Sequence, residues 1–159
     1  MIAFKLGFID NQSAKEKLLS LFLNNIAQDE LVSLGREYSQ NRIPLILRKG
    51  ALGRLIYHIE SGHRVIIISA SPEFWLEKWC HSVGVELIAT KLAFKQGFFT
   101  GQFEGKNCYG AEKVNRLKRH LKPSLIDNYE EIIAYGDSRG DKEMFEIANE
   151  VHFQPFRES

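Results

Sequence analysis

Apolar residues change their spacing once along the chain, near Arg48 to Gly53. Before that point the pattern is helical. Leu18, Leu19, Phe22 and Leu23 recur at steps of three and four behind Asn11 or Ser13, either of which can cap a helix through its side-chain oxygen. Leu31, Val32 and Leu34 follow Asp29 in the same manner and predict a second helix. A third is predicted from Leu45 to Glu60, stopped at Ser61-Gly62, where glycine can take the left-handed turn that ends helices. After it, strands alternate with helices. Arg64-Val-Ile-Ile-Ile-Ser69 lacks polar alternation, which predicts a strand covered on both faces. A helix Pro72 to Ser82, a strand Glu86 to Thr90, and a hairpin of Lys91 to Lys95 with Phe98 to Phe103 around Gln96-Gly97 follow. The remainder reads as helix Ala111 to Leu121, strand Glu131 to Tyr135, helix Lys142 to Ala148 and strand Val151 to Phe153. Such alternation predicts a three-layer α/β domain with a mainly parallel sheet.

Composition narrows the classes of partner. A chain of 159 residues with 44% apolar residues can bury one core and is expected to form one compact unit. Lys+Arg 21 against Asp+Glu 20 leaves +1, so no overall field draws the protein to nucleic acid or to anionic membrane. Any anion site has to be local. Cys80 and Cys108 stand far apart with no CxxC spacing, which argues against a zinc site or a disulfide framework and suits a reducing cytoplasm. The apolar run Val65 to Ile68 is far shorter than the roughly 20 residues of a membrane span, and the opening Met1 to Phe8 lacks a signal peptide's apolar centre, so a soluble protein is expected.

Three stretches carry candidate chemistry. Tyr135-Gly-Asp-Ser-Arg-Gly-Asp-Lys142 stands where a strand ends and a helix begins, the rim at which open α/β sheets bind ligands. Asp137 and Asp141 share that loop, and two hard carboxylates suit Mg²⁺; alternatively Gly136-Asp137 makes a turn and Asp141 caps the helix. Ser69-Ala-Ser-Pro72 follows the apolar strand, and Pro72 suits a helix's first turn, so Ser69, Ser71 and nearby amides would form a phosphate cradle. Plain capping by Ser71 explains the same residues. In Gly105-Lys-Asn-Cys-Tyr-Gly-Ala-Glu-Lys113, a lysine at a helix start opposes the macrodipole, so Lys113 needs a carboxylate or phosphate partner unless it is simply solvated. Lys106 is a weaker candidate for that role.

The order of these stretches, strand then Ser, Lys opening a helix, strand then Gly-Asp-x-x-x-Asp, is similar to the second, third and fourth motifs of the haloacid dehalogenase superfamily. The phrases Val-Ile-Ile-Ile-Ser-Ala-Ser-Pro-Glu-Phe-Trp, Gly-Lys-Asn-Cys-Tyr-Gly-Ala-Glu-Lys and Ala-Tyr-Gly-Asp-Ser-Arg-Gly-Asp-Lys-Glu-Met resemble its phosphoserine-phosphatase-like subclass in particular. The resemblance covers essentially the whole chain. It implies a Rossmann-like core over residues 49–159 and a partial helical cap over residues 1–48. It implies further that Ser69 and the backbone at Ala70 hold the transferred phosphoryl group and that Lys113 neutralises phosphate and nucleophile. Asp137 would bind Mg²⁺, with Asp141 beside it as ligand or supporting acceptor, on a small phosphorylated metabolite.

The family's first motif, a strand ending in Asp-x-Asp, has no counterpart among Asp10, Asp29, Asp127, Asp137 and Asp141, no two of which stand two positions apart. Asp10 precedes a polar helical stretch and is expected to cap or turn. The implied central strand between Arg64–Ile68 and Glu131–Tyr135 would then be absent, leaving either two inner strands unpaired or a sheet closed in a new order, with self-association through an exposed edge. The opening Met1 to Phe8 resembles entry into the middle of a cap helix, so a shortened chain with little turnover is expected. The basic residues Lys113, Arg116, Lys118, Arg119 and His120 surround one amphipathic helix and are expected to form its solvated face rather than a nucleic-acid surface. Phe74, Trp75 and Trp79 at helical spacing are expected in the core or against the cap.

Overall fold

The computed structural model describes residues 10–121 and 129–157, so the opening residues 1–8 and Asp127 lie outside the described part. Helix α1 spans Asn11–Leu23 and is capped by Asp10, not by Asn11 or Ser13: the Asp10 carboxylate accepts from the Ser13 amide at 3.0 Å and the Ser13 hydroxyl at 2.6 Å. Helix α2 spans Gln28–Asn41 from an extended Ala27, which leaves Asp29 inside the first turn, where its charge favours the positive helix end. The single helix expected from Leu45 to Glu60 is two, α3 (Ile43–Ile46) and α4 (Lys49–Glu60). Leu47 and Arg48 between them are extended, so the hydrogen-bond ladder is interrupted there.

Strand β1 runs Ile66–Pro72 and overruns its expected end at Ser69. Pro72 therefore closes a strand instead of opening a helix. A 3₁₀ turn Glu73–Trp75 comes next, and helix α5 begins only at Glu77, running to Val83. Strand β2 is Glu86–Thr90, and β3 (Leu92–Lys95) and β4 (Phe98–Phe103) form the expected hairpin. Helix α6 is Ala111–Leu121, β5 is Ile133–Gly136, a 3₁₀ turn Arg139–Asp141 leads into the short helix α7 (Lys142–Phe145), and β6 is Glu150–Phe153.

Side-chain alternation on β1 places helices on both of its faces. Ile66 and Ile68 pack with Ile88, Cys108 and, from α6, Leu117 and Leu121. Ile67, one residue out of phase, packs with Leu87, Trp79, Cys80, Ile43, Leu55 and Ile59 on the other face. The core is thus layered helix, strand, helix, as the α/β pattern predicts. A third cluster of Leu31, Phe74, Leu92, Phe99 and Phe103, with Leu19 and Leu23 against it, joins α1 and α2 to the hairpin. The aromatic residues Phe74, Trp75 and Trp79 all serve these clusters. Only part of the α1 stripe is used, since Leu18, Leu21 and Phe22 are exposed.

Among the described residues the strands make three two-stranded sheets, β1-β2 and β5-β6 parallel and β3-β4 antiparallel. The edge of β1 away from β2 and the edge of β5 away from β6 are both unpaired among the described residues. The Glu86 amide donates to the Val65 carbonyl, and peptide groups point to alternate edges along a strand, so those of Ile66 and Ile68 point away from β2. Glu150 and Gln154 donate to the carbonyls of Ile132 and Gly136, so the peptide groups of Ile133 and Tyr135 point away from β6. No described strand pairs with either edge. Ile66 to Ser71 are accordingly half-buried, although their composition predicts a strand covered on both faces. Helices do cover the faces; the exposure enters at the unpaired edge.

The seat of α2 depends on one glycine. A Cβ at Gly35 would lie 2.3 Å from a Phe74 ring carbon and 2.7 Å from the Phe74 carbonyl oxygen. Because the latter is backbone, Gly35→Ala is expected to lower unfolding free energy in urea by about 3 kcal/mol, at the upper end of overpacking costs. Gly53→Ala in α4, with nothing within 4 Å, is the control. It should leave stability unchanged or raise it by up to ~1 kcal/mol through helix propensity.

Candidate active site

The loop after β5 is organised around one carboxylate. One oxygen of Asp141 accepts from the amides of Asp137 at 3.2 Å and Ser138 at 3.0 Å and from the Ser138 hydroxyl at 2.8 Å. The Ser138 hydroxyl in turn accepts from the Gly140 amide at 3.2 Å, closing a capping box over the 3₁₀ turn. Gly136 makes room for this arrangement: a Cβ there would stand 2.8 Å from Asp141 Cβ and Cγ and from Phe145 Cζ. The other Asp141 oxygen receives the Lys113 ammonium at 2.5 Å.

Lys113 lies in the first turn of α6 and is buried, contrary to a place on a solvated face. Its side chain and that of Asp141 are 9% and 6% exposed, so the pair is shielded from water. The ammonium also donates to the Ile68 carbonyl at 3.2 Å, on the unpaired edge of β1. One cation therefore ties the end of β1 to the loop after β5. Burial alone would raise the Asp141 carboxyl, but the bond and charge of Lys113 and the Ser138 donors outweigh it and hold the group below the ordinary carboxylate range. The compensating partner that the macrodipole demands for Lys113 is Asp141.

Ser69 and Ala70 stand next to Ile68 at the carboxyl end of β1. The Ser69 hydroxyl accepts from the Ser71 amide at 3.1 Å, a local turn that accompanies the register shift between Ser69 and Pro72. Since α5 starts at Glu77, the positive end of a helix does not directly follow these residues, and the expected convergence on one does not form. The Ala70 carbonyl faces the Thr90 hydroxyl at 3.1 Å and the ammonium of Lys15, from α1, at 3.2 Å. Thr90 also lies 3.0 Å from the Asn107 side-chain oxygen and accepts from the Cys108 amide at 3.0 Å. Lys15, Thr90 and Asn107 escaped the motif reading. A hydroxyl residue ending β2 as Ser69 follows Ile68 on β1 is the one signal that could have pointed to Thr90.

Of the two loop aspartates only Asp137 keeps its carboxylate oxygens open. The side chain is 55% exposed, with Arg157 as far as 3.8 Å from one oxygen. Its carbonyl accepts from Gln154 at 3.0 Å and Arg157 at 3.4 Å. Mg²⁺ asks for one or two carboxylates and fills its remaining places with water and phosphate oxygens. Asp137 fits that demand, whereas both oxygens of Asp141 are occupied by donors. Among the described residues no cluster of three His, Cys, Asp or Glu side chains forms a cage for a metal, a donor set that Mg²⁺ does not require.

The basic face of α6 is mostly spent on the protein itself. Arg116 binds Glu112 and the carbonyls of Ala89 and Lys106, Arg119 binds Glu112, and His120 binds Glu86. Lys118 and the weaker candidate Lys106 are exposed. Among the described residues no helix is long and apolar enough to cross a membrane.

Comparison with known proteins agrees with this architecture. The model of the haloacid dehalogenase-like hydrolases matches residues 1–146. Protein CicA of Caulobacter vibrioides is 30% identical over 138 residues, which cover 86% of this chain and 60% of that protein. The structure of a protein of unknown function from Bordetella pertussis Tohama I superposes with a TM-score of 0.82 at 25% identity, covering 95% of this chain and 69% of that one. A probable phosphoserine phosphatase from Vibrio cholerae shares the fold, with a TM-score of 0.70 at 19% identity over 96% of this chain and 45% of its own. The chain spans about 60% of the length of the curated relatives it matches. With the strand order, the loop and the buried lysine in place, the chain belongs to the haloacid dehalogenase-like hydrolases.

Proposed function

We propose that this chain carries the phosphate-holding and cation-holding part of a phosphomonoester hydrolase for a small phosphorylated metabolite. The observation that supports it most is the placement of one buried ammonium, on Lys113, between the end of β1 and the loop bearing Asp137 and Asp141. Lys113 meets charge on the phosphoryl oxygens, Ser69 and the backbone at Ala70 orient them, and Asp141 fixes both Lys113 and the loop. Asp137 holds Mg²⁺, which supplies further neutralisation of the phosphoryl oxygens when bound. In the complete family the attacking group is an aspartate of Asp-x-Asp, and no such pair occurs here. On this reading these 159 residues lack the group that begins covalent catalysis. Its free, buried thiols at Cys80 and Cys108 suit a reducing, cytoplasmic setting.

The test has two arms. With Mg²⁺ and an aryl phosphate, the 159-residue chain should show no turnover above buffer; clear hydrolysis would remove the claim of inactivity. In thermal melts, millimolar Mg²⁺ with inorganic phosphate should stabilise the unaltered chain and not Asp137→Asn. Equal stabilisation of both would remove Asp137 as the metal ligand. A second reading, a non-catalytic interaction module, is favoured by the edges of β1 and β5 that no described strand pairs with. It requires the mass in solution to rise with concentration as those edges pair between copies.

A further inference from the structure

Lys15 is an unusual residue for a helix that packs on the outside of the core. It is half-buried, and its ammonium donates to the Ala70 carbonyl at 3.2 Å. Among the described residues no carboxylate lies within ion-pair distance of it, whereas Lys113, the other cation at this end of β1, has Asp141. Burial first, and then the charge of Lys113, push the Lys15 ammonium below the ordinary lysine range. Its place is fixed by neighbours along α1. Gln12 donates to the Gly105 carbonyl at 3.1 Å and accepts from the Asn107 amide at 3.0 Å. Asn11 accepts from the Asn107 side chain at 2.5 Å, and Glu16 accepts from the Phe103 amide at 2.9 Å. These four bonds pin the amino-terminal half of α1 to the loop before α6 and to the hairpin, so Lys15 is held over the end of β1 without a closing movement.

We infer that Lys15 is a second anion-binding cation of this site, acting with Lys113 on the phosphoryl group of the ligand. The inference rests on the function proposed above and adds a residue to it. The two ammoniums both donate to the end of β1, to the Ile68 and Ala70 carbonyls two residues apart, and the charge of Lys113 bears on Lys15. A single tetrahedral anion presents several oxygens and can take a charge-assisted hydrogen bond from each of the two. Lys113 is already compensated by Asp141, so Lys15 contributes the positive charge that the site otherwise leaves unmatched. An anion there relieves both the burial of Lys15 and its repulsion from Lys113.

Isothermal titration of inorganic phosphate into the unaltered chain, Lys15→Gln, Lys15→Arg and Lys113→Met, with a thermal melt of each, tests this. Lys15→Gln should weaken phosphate roughly tenfold or more while its melting temperature stays within a few degrees of the unaltered chain, and Lys15→Arg should restore most of the affinity. Unchanged affinity in Lys15→Gln, with or without a lower melting temperature, overturns the inference and reduces Lys15 to a prop for β1. If Lys113→Met still loses phosphate in that case, the function proposed above survives. If the unaltered chain binds no phosphate, both fall together.

Discussion

Replacing Lys113 by Met should cost about 3 to 5 kcal/mol of unfolding free energy in urea at neutral pH, the range for breaking a buried ion pair by removing one partner. The reason lies in what is left behind. Asp141 would keep its burial and its three loop donors but lose the cation that offsets them, and the Ile68 carbonyl would lose its donor on the open edge of β1. The double replacement Lys113→Met with Asp141→Asn removes both charges and should recover a large part of the loss. A cost below ~1 kcal/mol for Lys113→Met would mean that the pair is effectively solvated. The sign with pH follows from Asp141. Its folded carboxyl is held below its unfolded value, so the contribution is present above the unfolded pKa and is lost as pH falls through the folded one.

On the function proposed above, joining an in-frame segment ahead of Met1 that forms a β-branched strand ending in Asp-x-Asp should give a Mg²⁺-dependent hydrolase. The expected rise in aryl phosphate hydrolysis is on the order of 10⁴-fold or more, the scale on which removal of a nucleophile acts in other enzymes. Such a strand would lie between β1 and β5, where the peptide groups of Ile66, Ile68, Ile133 and Tyr135 are turned toward no described strand. Each bond it makes to them contributes about 0.5–1.5 kcal/mol, so the melting temperature should rise as well. Its terminal carboxylate would arrive beside Lys113. A lengthened chain that melts higher yet hydrolyses nothing would sink the phosphatase reading while leaving the fold untouched. Changing the first added aspartate to Asn, which should abolish the gain, guards against a contaminating enzyme.

The sequence was most legible where local spacing sufficed. β2, the hairpin and α6 fall where their alternation or helical period puts them, since β-branched runs and an amphipathic stripe each define their own element. Errors gather where tertiary contacts override the local signal. Pro72 reads as a helix start, but β1 continues through Ser71 because Thr90 on β2 still pairs with Pro72 across a register shift. The break at Leu47-Arg48 carries no glycine or proline, so nothing in the spacing marks it. In the candidate site, Lys113, Asp137 and Asp141 draw notice in the sequence because each sits in a motif at an element boundary. Lys15 was not, for it meets Ala70 across 55 residues and stands on a helix whose period shows only packing.

A shared proton donor has a thermodynamic corollary. The Lys113 ammonium serves the β1 carbonyl and the Asp141 carboxylate at once, and that carboxylate is the hub on which the Asp137 backbone hangs. An anion that draws on Lys113 must therefore be felt in the geometry around Asp137 through two bonds and no intervening helix. On the proposed reading of Asp137 as the cation's ligand, whatever factor such an anion applies to cation affinity there, the cation must return to the anion in full.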